Sequence, residues 1–469
     1  MSGARRRILK FGGTSVGSVD PLRAAVGIVE AALAEAPVVV VVSALSGVTD
    51  ALEAAVAGAS TGWLDVARFA DTLRERHLAL LRSVARGKPA AAAASAVADR
   101  VASLASRLRA AHASGARPDD RAAVLAAGER LSAEIVAAAL RSREVDAVAV
   151  DAAPIVRTDG APDEAAVDFP ATRRLVAEAI GSLSAARVPV VTGFIGGSAA
   201  GATTLLGRGG SDYSAALIGA ALGAEVIEIW TDTSGMLSAD PRVVPEARPV
   251  PRLSFAEACE LAYFGARVLH PKTLLPAMER GIPVRILNTA RPDDPGSLIT
   301  ATAGVQPEGW RVRSIASKPG ITAVTIASTR MLLAHGFLAR VFEVFGRHHV
   351  VVDLVTTSEV SNSVTVDDTG RLAPALAELE AIGRVDVRPG LAVVAVVGEG
   401  APTQVGLAGH VFTLLGGIGV PVEMISQGAS RVNLSFVVAE REAARVVRLL
   451  HRGLGLDAEV AASVASTPS

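Results

Sequence analysis

Five consecutive valines, Val38–Val42, constrain the fold more than any other part of this 469-residue sequence. A β-branched run without a polar position is typical of a strand that is buried on both faces, as in a parallel sheet. The run ends in a polar loop at 43–50, and a helical pattern follows. The same order of strand, polar loop and helix recurs at 188–195 and 226–232. This rhythm predicts an α/β fold with a mostly parallel sheet and helices on both faces.

Length and composition exclude several classes of protein. A chain of 469 residues is too long for one compact core, so two or three domains are expected. Its net charge of −1 disfavours a general binder of nucleic acid or anionic membrane. The single cysteine, Cys259, excludes an internal disulfide and fits a reducing cytosol. No apolar run approaches the roughly 20 residues of a membrane span. We therefore expect a cytoplasmic protein with no nucleic-acid or membrane partner.

Four polar loops follow the predicted strands, at 12–15, 43–49, 193–197 and 231–235. Because ligands of parallel sheets bind beyond the carboxyl ends of the strands, these loops are expected to converge on one site. A glycine-rich turn at 207–210, with Arg208 inside it, precedes Ser211 and Asp212, which we predict to cap a helix that ends at Gly223. Bare amides at a helix N-terminus predict an anion site, and an ordinary tight turn is the alternative.

Other nucleotide-binding and metal-binding motifs are missing. The sequence has no Walker A motif, and Asp212 occupies the place of the third glycine of a dinucleotide fingerprint. No zinc-type Cys/His cluster is present, and no metal site made by the protein is predicted. Glu129 lies in an apolar neighbourhood, and from spacing alone a solvated helix face with an arginine partner is its favoured interpretation.

Three motifs together carry a resemblance to a known family. KFGGTS at 10–15, GRGGSD at 207–212 and FGARVLHP at 264–271 occur in the order typical of aspartokinases, members of the amino-acid-kinase superfamily. GFIG at 193–196, GFLA at 336–339 and TTSE at 356–359 resemble the monofunctional, lysine-sensitive class. The resemblance implies a three-layer αβα amino-acid-kinase domain over 1–300. It also implies transfer of the γ-phosphoryl group of ATP to the β-carboxylate of L-aspartate, with ATP and Mg²⁺ as cofactors.

The resemblance also implies roles for individual residues. The catalytic residues would be Lys10 and Asp212. The aspartate contacts would be Thr49, Glu129, Phe194, Arg208 and Ser211. The ATP-binding set would be Lys10, Phe11, Gly12, Gly13, Gly209, Gly210, Thr231, Asp232, Leu237, Arg242 and Arg267. Two members of this set depart from the family pattern, because Arg267 replaces a common lysine and Leu237 replaces a frequent tyrosine.

The second half of the chain repeats itself at a shift of 70 residues. Val341 and Phe342 match Val411 and Phe412, and the apolar run after Val350 matches the run after Val420. Each unit is expected as βαββ followed by a helix, and neither buries its sheet alone. The pair resembles two ferredoxin-like (βαββαβ) ACT domains at 315–395 and 396–469, and threading of the second unit into the first stays open. ACT units imply a homodimer, with a tetramer as the alternative.

The resemblance places an allosteric effector, L-lysine, at the edge of the first ACT unit. The matching positions are Met331, Phe337, Leu338, Val352, Asp353, Ser358 and Glu359. Two carboxylates suit a ligand with two ammonium groups. Ala334 departs from the usual serine, which leaves the identity of the effector open, and helix core is an equal alternative for Phe337 and Leu338.

Three functions are set against one another. The first is a feedback-regulated aspartate kinase at the start of lysine, threonine and methionine biosynthesis. The second is a catalytically silent ACT protein that senses an amino acid. The third is another amino-acid or carboxylate kinase, such as acetylglutamate kinase, a class that lacks paired C-terminal units.

Overall fold

A computed structural model describes residues 5–114, 117–183, 185–265, 269–304, 309–331, 335–428 and 431–457. The chain divides into two compact units. The described residues of Met1–Met236, Pro251–Phe255 and Val268–Ala303 form the first unit. Those of Leu237–Val250, Ala256–Arg267 and Gly304–Ser469 form the second. The domain boundaries taken from the sequence stay a prediction.

The first unit is built on an eight-stranded sheet and one separate hairpin. Its strands are β1 (Arg7–Phe11), β2 (Val38–Val42), β3 (Ala147–Val150), β4 (Val188–Thr192), β5 (Ile195–Gly197), β6 (Thr203–Leu205), β7 (Val226–Thr231), β8 (Arg252–Ser254), β9 (Val284–Asn288) and β10 (Ser297–Thr300). The sheet has the order β3-β4-β2-β1-β7-β9-β10-β8, and β5 pairs with β6. Only the β9–β10 pair within this sheet is antiparallel.

Helices alternate with these strands along the chain. They are α1 (Gly13–Val16), α2 (Val19–Glu35), α3 (Val48–Thr61), α4 (Val66–Val84), α5 (Gly87–Ser114), α6 (Pro118–Leu125), α7 (Ala127–Arg141), α8 (Phe169–Val176), α9 (Gly210–Leu222), α10 (Phe255–Phe264) and α11 (Pro271–Arg280). α8 continues as a π-helical turn over Ala177–Gly181. After its first residue, α10 belongs to the second unit.

The run of five valines forms β2, and all five side chains are fully buried. β2 lies between β4 and β1, parallel to both, which is the environment that an unbroken apolar strand requires. The predicted α/β class with a mostly parallel sheet is confirmed.

The start of α9 differs from the prediction. Gly209 is its N-cap with φ +70°, a left-handed conformation that favours glycine, and the helix begins at Gly210. Ser211 and Asp212 therefore lie in the first turn, and their assignment as caps is wrong. The predicted end is confirmed, because Gly223 caps the helix with φ +60°.

The second unit holds one six-stranded antiparallel sheet. Its elements are β11 (Ser314–Ala327), α12 (Phe337–Arg347), β12 (Val355–Thr357), β13 (Ser361–Val366), α13 (Leu372–Leu379), β14 (Arg384–Val397), α14 (Leu407–Gly417), β15 (Met424–Ser426), β16 (Asn433–Ala439) and α15 (Glu440–Gly453), with short 3₁₀ turns at Thr329–Met331 and Ala401–Thr403. The order β12-β13-β11-β14-β16-β15 places both repeats in the same sheet. The predicted pair of ACT-like units is confirmed as this antiparallel sheet.

β11 and β14 are long strands that serve both repeats. Residues 314–318 of β11 pair with 393–397 of β14, the half of β14 that also pairs with β16. Residues 322–327 pair with β13 on the other side. Each repeat has its own apolar core, centred on Phe345 and Val364 in the first and on Phe436 and Val446 in the second.

Two predicted positions, Arg267 and Ala334, lie outside the described residues. In the part of the chain that the structure describes, no helix combines the length and the apolar character needed to cross a bilayer.

Candidate active site

A cavity of about 720 Å³ opens in the first unit, where the loops after β1, β2 and β4 meet the start of α9. Three of the four loops expected to converge, those at 12–15, 43–49 and 193–197, contribute residues to this cavity, whereas the loop at 231–235 contributes none. The cavity lining includes Lys10, Gly13, Thr49, Glu129, Phe194, Arg208, Gly209, Gly210, Ser211 and Asp212. All five predicted aspartate contacts and both predicted catalytic residues thus line one space.

Lys10 and Asp212 form an ion pair inside this cavity. Lys10 lies near the end of β1 and is 7 % exposed. Its Nζ lies 2.5 Å from Oδ1 of Asp212, in the first turn of α9. Because a buried ammonium is costly without a partner, the ion pair with Asp212 compensates the burial of Lys10 and fixes the position of its Nζ atom.

Glu129 is buried rather than solvated, so the interpretation from spacing alone is wrong. Its Oε1 accepts a hydrogen bond from the backbone N–H of Ala44 at 3.1 Å, while Oε2 has no partner among the described residues. Gly128 permits this approach, because a Cβ atom there would lie 2.7 Å from the Cβ of Ala44. Burial raises the pKa of Glu129 to about 7, against the opposing hydrogen bond from Ala44. Glu129 is part of the cavity lining, and its unpartnered oxygen suits a cationic group.

Phe194 has a strained backbone, with φ +66°. Its N–H donates to Oγ of Ser214, and that hydroxyl donates to the carbonyl of Gly210. A Cβ atom on Gly210 would lie 2.7 Å from Cδ2 of Phe194, so only glycine fits there without a shift. Ser214 therefore ties the loop after β4 to α9. The sequence reasoning missed it, although a small polar residue on an apolar helix was a visible signal.

The N-terminus of α9 supplies free backbone donors. The N–H of Gly210 is used by the carbonyl of Gly207, whereas those of Ser211 and Asp212 have no partner among the described residues. Helix N-termini attract anions through such amides and through the helix dipole. Arg208 is exposed beside them and suits a carboxylate or phosphate. Burial lowers the pKa of His270, and the nearby charge of Arg208 lowers it further.

The cavity rim contains a second arginine that the sequence reasoning missed. Arg121 on α6 binds Glu53 at 2.8 Å and Asp163 at 2.6 Å. Six carboxylates and three basic side chains line the cavity in total. The cavity lining therefore carries more acidic than basic side chains. Among the described residues, no group of three or more His, Cys, Asp and Glu side chains could hold a metal ion by itself.

The predicted ATP-binding residues divide between the two units. Phe11 ends β1, Gly12 is the N-cap of α1, and the carbonyl of Thr231 accepts from the N–H of Thr289. Asp232 is exposed, and its carbonyl accepts from Nδ2 of Asn288. Leu237 and Arg242 belong to the second unit, where Arg242 forms an exposed ion pair with Asp240.

The predicted effector residues all lie in the second unit. Phe337 is in the core of the first repeat, with Met331 and Val352 packed against that core, whereas Leu338 is 38 % exposed. Ser358 and Glu359 lie in the turn between β12 and β13. Asp353 is not free, because it already binds Lys318 and Tyr263.

Comparison with sequence families agrees with this architecture. The profile of the amino acid kinase family matches residues 5–288. A profile of the ACT domain matches residues 394–454, in the second repeat.

Full-length relatives are also similar. The lysine-sensitive aspartokinase 3 of Escherichia coli K12 is 37 % identical over 471 residues, which cover 95 % of this chain and 98 % of that protein. The crystal structure of E. coli aspartokinase III with aspartate and ADP (R-state) has a TM-score of 0.83 at 35 % identity, covering 96 % of this chain and 99 % of that one. The same enzyme with lysine and aspartate (T-state) has a TM-score of 0.75 at the same identity and coverage.

Proposed function

The chain belongs to the aspartokinase family and is an aspartate kinase, and we propose that it joins its two substrates in the cavity lined by Lys10, Glu129 and Arg208. One observation carries this assignment of the site. A buried carboxylate with one unpartnered oxygen, a free helix N-terminus and a fixed ammonium share one space. L-aspartate offers an ammonium and two carboxylates, which these groups complement. The relative crystallised with aspartate and ADP supports the same pairing of ligands.

We assign the aspartate contacts by charge. The unpartnered Oε2 of Glu129 receives the α-ammonium group, and the guanidinium of Arg208 binds a carboxylate. Thr49 and Ser211 offer hydroxyls at the cavity wall, and the strained Phe194 closes it. This arrangement fixes the β-carboxylate relative to Lys10.

Phosphoryl transfer then needs positioning and charge neutralisation more than covalent help. The ammonium of Lys10 lies where it can bridge the attacking carboxylate and the phosphoryl group, and Asp212 holds it there. The free amides of Ser211 and Asp212 offer donors to the oxygens of that group. The backbone can approach these oxygens closely because four glycines lack a side chain there: Gly12, Gly13, Gly209 and Gly210.

We propose ATP as the donor, bound at the ends of β1 and β7, and the resemblance to aspartokinases adds Arg242 and Arg267 to the nucleotide-binding set. Mg²⁺ would enter with ATP, held mainly by phosphate oxygens and water. The excess of carboxylates in the cavity fits such an ion, since its charge offsets the repulsion between anionic substrates and an acidic wall. The exposed carboxylate of Asp232 is an oxygen ligand that the chain offers on the nucleotide side.

For regulation we propose L-lysine, bound at the first ACT unit by the residues around Asp353. The relative crystallised with lysine supports this choice. We also propose that chains pair through their ACT units, as a dimer or a tetramer. Val355 and Ile425, on the edge strands β12 and β15, are 38 % and 46 % exposed, which fits pairing. Cys259 is a free thiol, which supports a cytoplasmic location.

The assignment is tested by trapping aspartyl phosphate as its hydroxamate with aspartate, ATP and Mg²⁺. Glu129→Gln is expected to raise KM for aspartate at least tenfold and leave KM for ATP within twofold, because only the ammonium contact is lost. Glu178→Gln, an exposed carboxylate on the same unit, is the matched control. An unchanged KM for aspartate in Glu129→Gln would move the aspartate site elsewhere.

A further inference from the structure

Four side chains of the second unit form one polar cluster, which we call the Lys318 cluster: Tyr263, Lys318, Asp353 and Asp367. Nζ of Lys318 lies 3.2 and 3.3 Å from the two carboxylate oxygens of Asp353 and 2.7 Å from Oδ2 of Asp367. The hydroxyl of Tyr263 donates to Oδ1 of Asp353. The ammonium of Lys318 also lies 4.5 Å from the centroid of the Tyr263 ring.

The sequence places these groups together from four separate segments. Lys318 lies on β11, Asp367 directly follows β13, and Tyr263 lies near the end of α10. Asp353 lies just before β12, where its backbone N–H donates to the carbonyl of Thr365. The side chain of Asp353 is only 1 % exposed, so its carboxylate depends on partners within the protein.

In the proposed effector site, the carboxylate of Asp353 is the group that would bind the side-chain ammonium of the effector. In this structure a lysine side chain of the protein already holds it. The chemistry of an intramolecular Lys318 ammonium and of a free L-lysine side chain is the same. Both need a charge-assisted hydrogen bond to the same pair of oxygens.

The charges of the cluster leave room for a second cation. Asp353 and Asp367 carry two negative charges, and Lys318 carries one positive charge, so the cluster has a net charge of −1. The link from Lys318 to Asp367 is the shorter one. Lys318 can therefore leave Asp353 and stay paired with Asp367, which avoids an unpaired ammonium. Burial raises the pKa of Asp353, against the opposing bonds from Tyr263 and Lys318, so this carboxylate needs a cation beside it, whether Lys318 or a bound effector supplies that cation.

We propose that Lys318 is a built-in competitor of the effector: it occupies Asp353 when the site is empty, and a diammonium amino acid binds by displacing it towards Asp367. This inference rests on the proposed effector site. It makes Lys318 a residue that sets the affinity and selectivity of that site.

The test is calorimetric titration of the full chain with L-lysine and with L-norleucine, which has the same carbon chain and lacks the side-chain ammonium. Lys318→Met removes the competing charge at similar length and is expected to tighten L-lysine binding at least tenfold, with norleucine unaffected. Lys318→Arg keeps the charge and is expected to stay within threefold of the wild type. Asp367→Asn removes the alternative partner of Lys318, which then holds Asp353 more firmly, so L-lysine should bind about fivefold more weakly.

The opposite signs of the two substitutions make the inference testable even if one variant folds poorly. Asp367 is 38 % exposed, so its replacement leaves the core intact. Unchanged or weaker L-lysine binding by folded Lys318→Met would overturn the inference, and so would an equal gain for norleucine. A wild-type chain that makes aspartyl phosphate but binds no L-lysine would refute the effector assignment and this inference, and leave the kinase assignment intact.

Discussion

The buried carboxylate of Glu129, which we assign to the aspartate site, is expected to lower the free energy of unfolding. Comparing Glu129→Gln with the wild type measures this cost. Burial raises the pKa of its carboxyl from 4.5 to about 7. Each pKa unit is worth about 1.4 kcal/mol, so keeping Glu129 ionised above pH 7 lowers the free energy of unfolding by about 3 kcal/mol. Because the pKa in the folded state is raised, this cost is absent below about pH 4.5 and is complete once the pH has risen through 7.

A glutamine at position 129 does not ionise, so the difference between variant and wild type should change with pH. From these two pKa values, the stability of Glu129→Gln relative to the wild type should rise by about 2 kcal/mol between pH 5.5 and pH 8. The unpartnered amide N–H₂ costs about 1–2 kcal/mol, but this cost is the same at both pH values. For a unit of this size, 2 kcal/mol corresponds to about 3–4 °C in Tm.

Differential scanning calorimetry at the two pH values measures this change directly. Glu178→Gln is again the control, since its carboxylate is exposed and its replacement should shift Tm equally at both pH values. If the difference between Glu129→Gln and the wild type is the same at pH 5.5 and pH 8, the carboxyl of Glu129 ionises as an ordinary surface group, and the reasoning from its burial is wrong.

Three further outcomes follow from the same geometry. In the hydroxamate assay, kcat/KM for aspartate should fall as the pH drops below about 7, because the carboxylate of Glu129 becomes protonated, and the pH profile of Glu129→Gln should lack this step. Lys10→Met should lower kcat at least 10³-fold, since it removes the charge that bridges the reacting groups, and near-normal turnover would exclude that role. Gly13→Ala should lower Tm and weaken ATP binding, because the new Cβ atom would lie 2.8 Å from the carbonyl oxygen of Ala44. The control is Gly27→Ala on α2, where the space is open and the substitution should raise the free energy of unfolding by about 0.5–1 kcal/mol. Equal Tm values for the two variants would contradict this reasoning.

The sequence was informative where a local pattern has only one physical solution. Five valines without a polar position have to be buried on both faces, and β2 is the result. Gly223 ends α9 because a left-handed residue without a Cβ atom stops a helix there. The start of the same helix was misread, since Ser211 and Asp212 are good caps in isolation and Gly209 takes the position through its backbone conformation.

The resemblance to aspartokinases identified groups that the structure brings into one cavity, but it did not indicate which of them are buried, paired or shifted in pKa. Spacing alone left Glu129 on a solvated face, because burial depends on which loop covers the helix. That loop is held by a contact between Gly128 and Ala44, which are 84 positions apart in the sequence. The raised pKa and the free oxygen of Glu129 follow from this packing.

The sequence by itself therefore determined the kind of sheet, the edge at which its loops meet and the types of charged group placed there, because these depend on local pattern and on the direction of the strands. The tertiary structure decided which charges are paired. Lys10 meets Asp212, and Lys318 meets Asp353, across long stretches of chain. Pairing and burial set the electrostatic free energy of each group, and both are properties of the folded surroundings rather than of the residue or its neighbours in sequence.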